Sequence, residues 1–372
     1  MGLAHSPRIA TDGLVFVYDM GNPQKSWKGA PTTNLATTQT LVNHSLVTLP
    51  TFSDAPEKGI GWKKAIVTAT SSNFRMLRMD AFNVSANSTH TYSIEFECNS
   101  PEVYLNIDGT GFGGGPWTKI GPTRYSRTVT TATAGQAYLF VCSNNLSASV
   151  NYIIYYKEHQ IENNLFATPF VSGTRSNTQA ILDLTNNNTV TATSLTYASN
   201  NTFNFNGSNS LTVPYNPSLF TFNNEQTIII WMKNEASVAA RRNPYNQAYG
   251  GGGTITHENN TFFNYIYGTS GVDNVPYTNH ASPFSVVLNE TAQIAITRNV
   301  SQTAWYKNGA LGNTLANPYG ATVVTGTSPI LLGTGYTNGV VGGLYAVQIY
   351  NRALSASEIQ QNFNALRGRY GI

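Results

Sequence analysis

Tyr92-Ser93-Ile94-Glu95-Phe96-Glu97-Cys98 alternates without a break. Tyr92, Ile94, Phe96 and Cys98 fall on one face and Ser93, Glu95 and Glu97 on the other, because successive side chains of an extended chain point to opposite sides. Such a stretch fits an antiparallel strand with one face on a core and the other wet. Outward from it, apolar runs of strand length recur between clusters of Asn, Gly, Pro and Ser. In the first half the sequence predicts strands near 74–79, 91–98, 103–107, 124–131, 138–142 and 152–160. After residue 180 a second series is expected near 202–205, 210–213, 227–232, 253–256, 261–267, 284–288, 291–298, 303–307, 330–332 and 344–350. Short strands at regular spacing predict sandwiches. Tyr306-Lys307-Asn308-Gly309-Ala310 sets an Asn-Gly pair between two such runs, a strong hairpin signal.

One helix is expected, at the end. Leu354-Ser355-Ala356-Ser357-Glu358 has the form of a capping box, with Ser355 capping the first turn and Glu358 reaching back. Ile359, Phe363 and Leu366 follow at helical spacing. Gly368 is expected to stop the helix. The fold class predicted is all-β: two antiparallel, jelly-roll-like β-sandwiches with one short C-terminal helix.

Composition agrees with that class. The chain has 372 residues, of which 41% are hydrophobic and only 10% charged, against about 25% charged in an ordinary globular chain. Asn, Thr and Ser supply roughly a quarter to a third of the residues and carry the solubility. Net charge is +3. The basic residues form only the pairs Lys63-Lys64 and Arg241-Arg242 and a terminal Arg367 and Arg369, too few along one face for a nucleic-acid groove. The longest apolar run, Ile228 to Met232, has strand length and falls far short of the ~18 residues of a membrane span. No signal peptide is visible. The Met1-Gly2…Ser6 match to a myristoylation pattern and the many N-x-S/T triplets read as accidents of composition. Cys98 and Cys142 sit in strand-like runs. Two thiols make no disulfide framework, and they read as buried and reduced, with one bridge open to them if their strands are neighbours.

Catalysis needs positioned carboxylates, a nucleophile with its base, or a metal. There are 18 Asp and Glu in all. A glycosidase needs two carboxyls flanking one bond, and Glu258, Asp273 and Glu290 are scattered. His257-Glu258 beside Asn259 and Asn260 reads as a polar loop, as does His280 beside Asn279. No H-x-x-x-H or C-x-x-C supports zinc. Gly109-Thr110-Gly111-Phe112-Gly113-Gly114 fits G-x-G-x-x-G, but Gly115-Pro116-Trp117 follows where a dinucleotide fold needs a helix. Gly250 to Gly253 lacks the Lys of a phosphate loop. Both glycine runs read as loops at sandwich rims. No catalytic residue, metal or cofactor is expected.

Sugar binding asks for aromatic faces with amides and hydroxyls beside them. Trp231 and Trp305 lie inside strand patterns and read as core. Trp117, after a glycine loop, and Tyr265, Tyr267 and Tyr277, in a loop-rich region, are the glycan-binding candidates. The competing reading buries these aromatics against a neighbouring subunit.

The segment from Gly343 through Tyr350-Asn351-Arg352-Ala353-Leu354-Ser355 to Ile359 resembles the closing strand and tail of laminin-G-like, concanavalin A-type lectin/glucanase domains common in bacteriophage virion proteins. Phe205-Asn206-Gly207, Thr227–Lys233 and Ala295–Gly309 resemble further strands of that family, so the likeness spans about 180–372. Thr11-Asp12-Gly13-Leu14 through Met20 resembles the family's opening strand, which in relatives runs directly into a segment like Ile181-Leu182-Asp183-Leu184. Here about 150 residues intervene. They resemble carbohydrate-binding-module-like jelly rolls and end in Gln160-Ile161-Glu162…Phe166-Ala167-Thr168-Pro169-Phe170, a closing segment similar to those of phage fibre and tail proteins. Lys25 to Leu35 also looks phage-like and would lead into the insert. The resemblance implies an N-terminal segment, 1–35, whose strand joins the C-terminal sandwich, an inserted sandwich at 36–172, and the family domain at 178–372. Asn206 and Ser210 stand where some members carry calcium-holding acids, so no metal is expected.

The function this implies is a structural protein of a phage particle, an exposed fibre, decoration or tail-associated component with host-glycan adhesion. Expected partners are other virion proteins, copies of itself on the particle and host surface glycans, with no nucleic acid and no membrane insertion. Its expected location is the virion, assembled in the host cytoplasm. A free carbohydrate-binding lectin and a glycan depolymerase are the alternatives.

Overall fold

The computed structural model describes residues 8–36, 38–44, 49–68, 75–79, 81–109, 115–143, 150–198, 202–216, 225–237, 240–247, 253–266, 280–316 and 328–372. Among the described residues the chain is all-β, with antiparallel sheets and one short C-terminal α-helix. It divides into two compact units. One takes in the N-terminal segment up to Ala30 together with Asn177–Ile372; the other is Pro31–Ser176.

In the first unit, an eight-stranded sheet is built around Val341–Tyr350 and Gln226–Asn234. Leu14–Asp19 pairs with Val341–Tyr350 from residue 346 to 350, and Phe203–Asn206 pairs with the same strand at Val341 and Gly342. Two segments distant in sequence thus share one edge of one strand. Gln226–Asn234 is buried on both sides, which is why its sequence is a continuous apolar run. Ile228, Ile230 and Met232 enter the core between the sheets, while Ile229 and Trp231 lie beneath the C-terminal helix.

That helix, Ala356–Leu366, opens on the capping box expected of Ser355 and Glu358. Its Ile359, Phe363 and Leu366 are buried, and Phe363 stacks on Trp231 with ring centroids 5.6 Å apart. Its end differs from expectation. The helix runs past Leu366 into a 3-10 turn at Arg367–Arg369, and the left-handed residue is Gly371 rather than Gly368.

The facing seven-stranded sheet lines up Ala192, Leu211, Leu332, Tyr245, Ile255, Tyr265 and His280 as cross-strand neighbours in one row. One of its strands, Arg242–Asn246, was not apparent in the sequence. Its Asn and Pro argue against a strand, but Pro244 sits in a bulge between Arg242 and Tyr245, where no ladder donor is needed. Conversely, the strand expected near 284–288 does not form. Its carbonyls are taken by side chains, Val286 by Asn234 Nδ2 at 3.0 Å and Ser285 by Lys307 Nζ at 2.7 Å. It then turns at Asn289, whose φ is +65°.

The second unit, Pro31–Ser176, has a six-stranded sheet in the order Thr118–Lys119, Arg124–Thr131, Ser88–Cys98, Asn151–Glu162, Lys63–Thr68, Thr51–Asp54. Its second sheet is centred on Gly135–Ser143. Arg75–Arg78 and Phe82–Val84 follow one another along one edge of that strand, and Val103–Gly109 takes the other. Ile94, Phe96, Val103, Leu105, Leu139, Val141 and Ile154 fill the space between the sheets. The face of Ser88–Cys98 expected to be wet is partly covered. Arg124 Nη2 donates to Ser93 Oγ at 2.8 Å, the Thr91 hydroxyl donates to the Asn164 carbonyl at 2.6 Å, and both Thr91 and Ser93 are buried.

The surplus of Asn has a structural use. Among the described residues, Asn87, Asn186, Asn259, Asn260, Asn289 and Asn308 all have positive φ, a conformation Asn tolerates better than most residues. Asn308-Gly309 closes the expected hairpin, and Asn259-Asn260 closes a second between Thr254–Glu258 and Phe262–Ile266.

Candidate functional site

The Pro31–Ser176 sandwich opens along one side. There Val103–Gly109 is the free edge of one sheet, and the short strand Thr118–Lys119 ends the other. Among the described residues neither edge has a further strand to bridge the gap, and a cleft of about 490 Å³ lies there. That volume falls in the roughly 300–1,000 Å³ range of small-ligand sites. Phe96, Val103 and Leu105 line it from the core, Tyr104 and Asn106 from one edge, and Gly115, Pro116, Trp117 and Tyr125 from the other. A second hollow of about 570 Å³ shares Phe96, Val103 and Tyr125 with it and extends to Asn99, Lys119 and Thr123.

Local rules place each wall. Alternation along Val103–Gly109 sends Val103, Leu105 and Ile107 into the core. Along Arg124–Thr131, Tyr125 and Val129 share the core-facing side, and Arg127 falls between them by the same period. Thr118 pairs with Ser126 and Lys119 with Tyr125, and Trp117 comes immediately before this short strand.

Trp117 is half-buried and packs against both apolar clusters of this unit. Its indole N–H is buried and has no hydrogen-bond acceptor among the described residues. Tyr125 meets Phe96 edge-on at 6.2 Å, and the Lys119 ammonium lies 5.7 Å from the Tyr125 ring centre. A Cβ placed on Gly115 would come 3.1 Å from Arg127 Nη2, so the guanidinium lies close against the glycine. Burial draws the Arg127 pKa below its ordinary value, with nearby Tyr92 acting the other way. The Glu97 carboxylate in the adjoining hollow is engaged by Lys58. The arrangement provides aromatic and apolar surface around an open cleft, with the Lys119 ammonium in the adjoining hollow.

Of the residues expected to face a sugar, Trp117 lines this cleft. Tyr265 does not face solvent: it is 1% exposed within the other unit's core, and its hydroxyl donates to Gln226 Oε1 at 2.7 Å. A ring packed on both sides offers no face for stacking. Tyr267 and Tyr277 lie outside the described residues, as does Asp273. Trp231 and Trp305 are core residues, and the Trp305 indole N–H donates to the His280 carbonyl at 2.7 Å.

His257 and Glu258, expected in a polar loop, belong to the strand Thr254–Glu258 and are buried. The Glu258 carboxylate is paired with Arg241 at 2.8 Å and accepts from Thr256 Oγ1 at 2.6 Å. Burial pulls the His257 pKa down to about 4, assisted by Arg242. His280 is likewise on a strand, with Nδ1 2.6 Å from Thr303 Oγ1. Glu290 is paired with Lys307 at 2.7 Å. Asn206 and Ser210 flank a tight turn in which Asn206 Oδ1 accepts from Ser208, and Gly207 has φ +92°. Cys98 and Cys142 are free thiols on strands of different sheets, and burial pushes the Cys142 thiol up to about 12.

Tyr125, Asn106, Lys119 and Arg127 were not singled out from the sequence. For Tyr125 and Arg127 the signal was the period-2 pattern of 124–131. What the pattern lacked was the knowledge that this strand lies next to an open edge.

Residues 205–360 match the family model Laminin_G_3 of the concanavalin A-like lectin/glucanases superfamily. The fold of that region is accordingly concanavalin A-like. No curated protein sequence matches the chain. Among solved structures, one of botulinum neurotoxin type C, whose cell entry is described as dependent on two ganglioside molecules, is similar at 14% identity and a TM-score of 0.42, over 51% of this chain and 50% of that one. The binding domain of botulinum neurotoxin DC in complex with rat synaptotagmin II is similar at 15% identity and TM-score 0.40, over 51% and 50%. The binding domain of Paraclostridial Mosquitocidal Protein 1 is similar at 18% and 0.40, over 50% and 49%. The chain spans about half the length of these structures.

Proposed function

We propose that the protein is a non-catalytic component of a bacteriophage particle, an exposed fibre, decoration or tail-associated protein, that adheres to host-surface glycans through the Trp117 cleft. The observation that carries the binding role is the cleft itself: a half-buried indole and a second aromatic ring beside a space of ligand size, with Asn99, Lys119 and Thr123 in the adjoining hollow. Sugars are bound by this combination of an apolar face and polar edge groups. The virion role rests on the resemblance of the 343–359 tail and the 160–170 closing segment to phage proteins. Weak charge and an all-β build suit a rigid exposed scaffold. Glu258 and Glu290 are each held in ion pairs, which favours binding over hydrolysis at those positions.

Proteomics of purified particles tests the virion role: the protein should appear at a fixed copy number with the capsid and tail proteins. Its absence from particles leaves a free lectin. Incubation with host polysaccharide should release no new chain ends, and cleavage abolished by Glu258→Gln would establish a depolymerase instead.

A further inference from the structure

We propose that the cleft selects sugars bearing an acetyl group over the same sugars without it, the acetyl methyl resting on the cleft floor; this rests on the glycan-binding reading above. The cleft opens onto the hydrophobic core of its unit. Phe96 is 7% exposed and Val103 and Leu105 are each 6% exposed, whereas the other buried residues of that core cluster are at 4% or below. These three line the cleft. The surface that this core leaves uncovered therefore lies in the cleft and forms its floor. Pro116, Trp117 and Tyr125 stand around it, Pro116 exposed and the two aromatic rings half-buried. Alternation along Val103–Gly109 turns Tyr104 and Asn106 to the face opposite Val103 and Leu105. The floor is thus hydrocarbon and aromatic, and no residue lining the cleft carries a charge.

A bare sugar ring suits such a floor poorly. A hydroxyl pressed onto hydrocarbon gives up its bonds to water and gains no partner. A charged substituent fares worse, because nothing lining the cleft opposes its charge. An acetyl group, on nitrogen or on oxygen, meets both conditions. It is planar and neutral, and it carries its methyl well out from the ring. The methyl can rest on Phe96, Val103 and Leu105 while the ring stays at the mouth against Trp117, its hydroxyls toward water. A deoxy methyl, bonded directly to the ring, would draw the neighbouring hydroxyls down with it. The floor therefore reads the methyl, and the indole holds the ring.

The test uses the full chain and matched probes in isothermal titration calorimetry: chitotriose against cellotriose for the N-acetyl group, and acetylated xylo-oligosaccharide against the same oligomer after mild alkali for the O-acetyl group. The acetylated member of at least one pair should bind about fourfold tighter or more, the worth of one buried methyl, and the pair that shows it identifies the linkage. The preference should hold as sodium chloride is raised, since no charge carries it, and the acetylated member should show the more negative heat-capacity change. Val103→Thr, which keeps the shape of the floor and adds a hydroxyl, should shrink the preference while the plain sugar binds as before. A chitotriose series with formyl in place of acetyl needs no variant: the formyl form, lacking the methyl, should bind like cellotriose. Equal binding of acetylated and plain members in both pairs, or of formyl and acetyl forms, overturns the acetyl selection and leaves the glycan site standing. A preference undiminished in a fully folded Val103→Thr places the acetyl elsewhere and also overturns it. No binding to any probe, together with silence on a broad glycan array, overturns the glycan reading itself and this inference with it.

Discussion

Thr168 is held at two points by Glu162: its backbone N–H donates to Oε1 at 2.7 Å and its hydroxyl to Oε2 at 2.8 Å. Both residues are buried, and the carboxylate also accepts from Gln160 Nε2, Thr32 Oγ1 and Asn164 Nδ2. Arg175 Nη2 donates to Thr168 Oγ1 at 3.0 Å. One carboxylate therefore fastens the last long strand, the loop after it, and the chain where it enters and leaves this unit.

Removing it should be costly. Glu162→Ala strands several buried donors and should destabilise the Pro31–Ser176 unit by about 2–4 kcal/mol, read by urea denaturation. The boundaries matter for the same reason. A fragment of residues 31–176 should fold alone and resist urea better than one of residues 36–172, which lacks Thr32 and Arg175. Equal midpoints for the two fragments would show that the network adds nothing.

Deleting residues 1–30 should damage the other unit. Leu14–Asp19 supplies the ladder partners of residues 346–350, and Phe16 and Tyr18 fill core space. Without them an apolar strand edge is exposed. A fragment of residues 177–372 should aggregate in light scattering, and a monomeric fragment with a sharp melt would contradict that expectation.

Acid should destabilise both units through buried imidazoles. Burial pulls His159 down to about 4, and His257 and His280 likewise, with Arg242 and Arg298 adding to the latter two. An unfolded histidine titrates near 6.5, so it takes up a proton before the folded one does. The stability each neutral imidazole contributes is full above pH 6.5, falls as pH drops from 6.5 to 4, and is gone below. For His159 the loss should approach about 3 kcal/mol. In the 31–176 fragment, His159→Gln should flatten the stability profile between pH 6.5 and 4. An unaltered slope would assign it to other groups.

Much of this fold could be read in the sequence because its signals were local. The 92–98 alternation, the Asn308-Gly309 turn and the Ser355–Glu358 box each depend on neighbours a few residues away. What escaped were features that tertiary contacts decide. Pro244 is tolerated because a bulge receives it, and the apolar 284–288 run is not a strand because Asn234 and Lys307 occupy its carbonyls. The site was harder for the same reason. Tyr265 and Trp117 look alike as aromatics near glycine-rich stretches, but one lies on a central row and the other at an open edge. His257 and Glu258 looked like a loop because the two Asn that follow them do form a turn, one residue further on.

Tyr265 and Trp117 should therefore respond oppositely. Tyr265→Ala should cost about 3–5 kcal/mol of stability by emptying core volume, seen as a lowered melting temperature. Its milder form, Tyr265→Phe, should leave sugar binding untouched. A binding defect in Tyr265→Phe at full folding would place a second site on that unit.

The most direct measurement is the binding of the intact protein and of Trp117→Ala to a host-surface glycan array, followed by calorimetry on the best sugar. Loss of the indole should weaken binding by about 1–3 kcal/mol with the melting temperature of the Asn177–Ile372 unit unchanged. Equal binding by the two proteins would contradict the claim that this cleft holds the glycan.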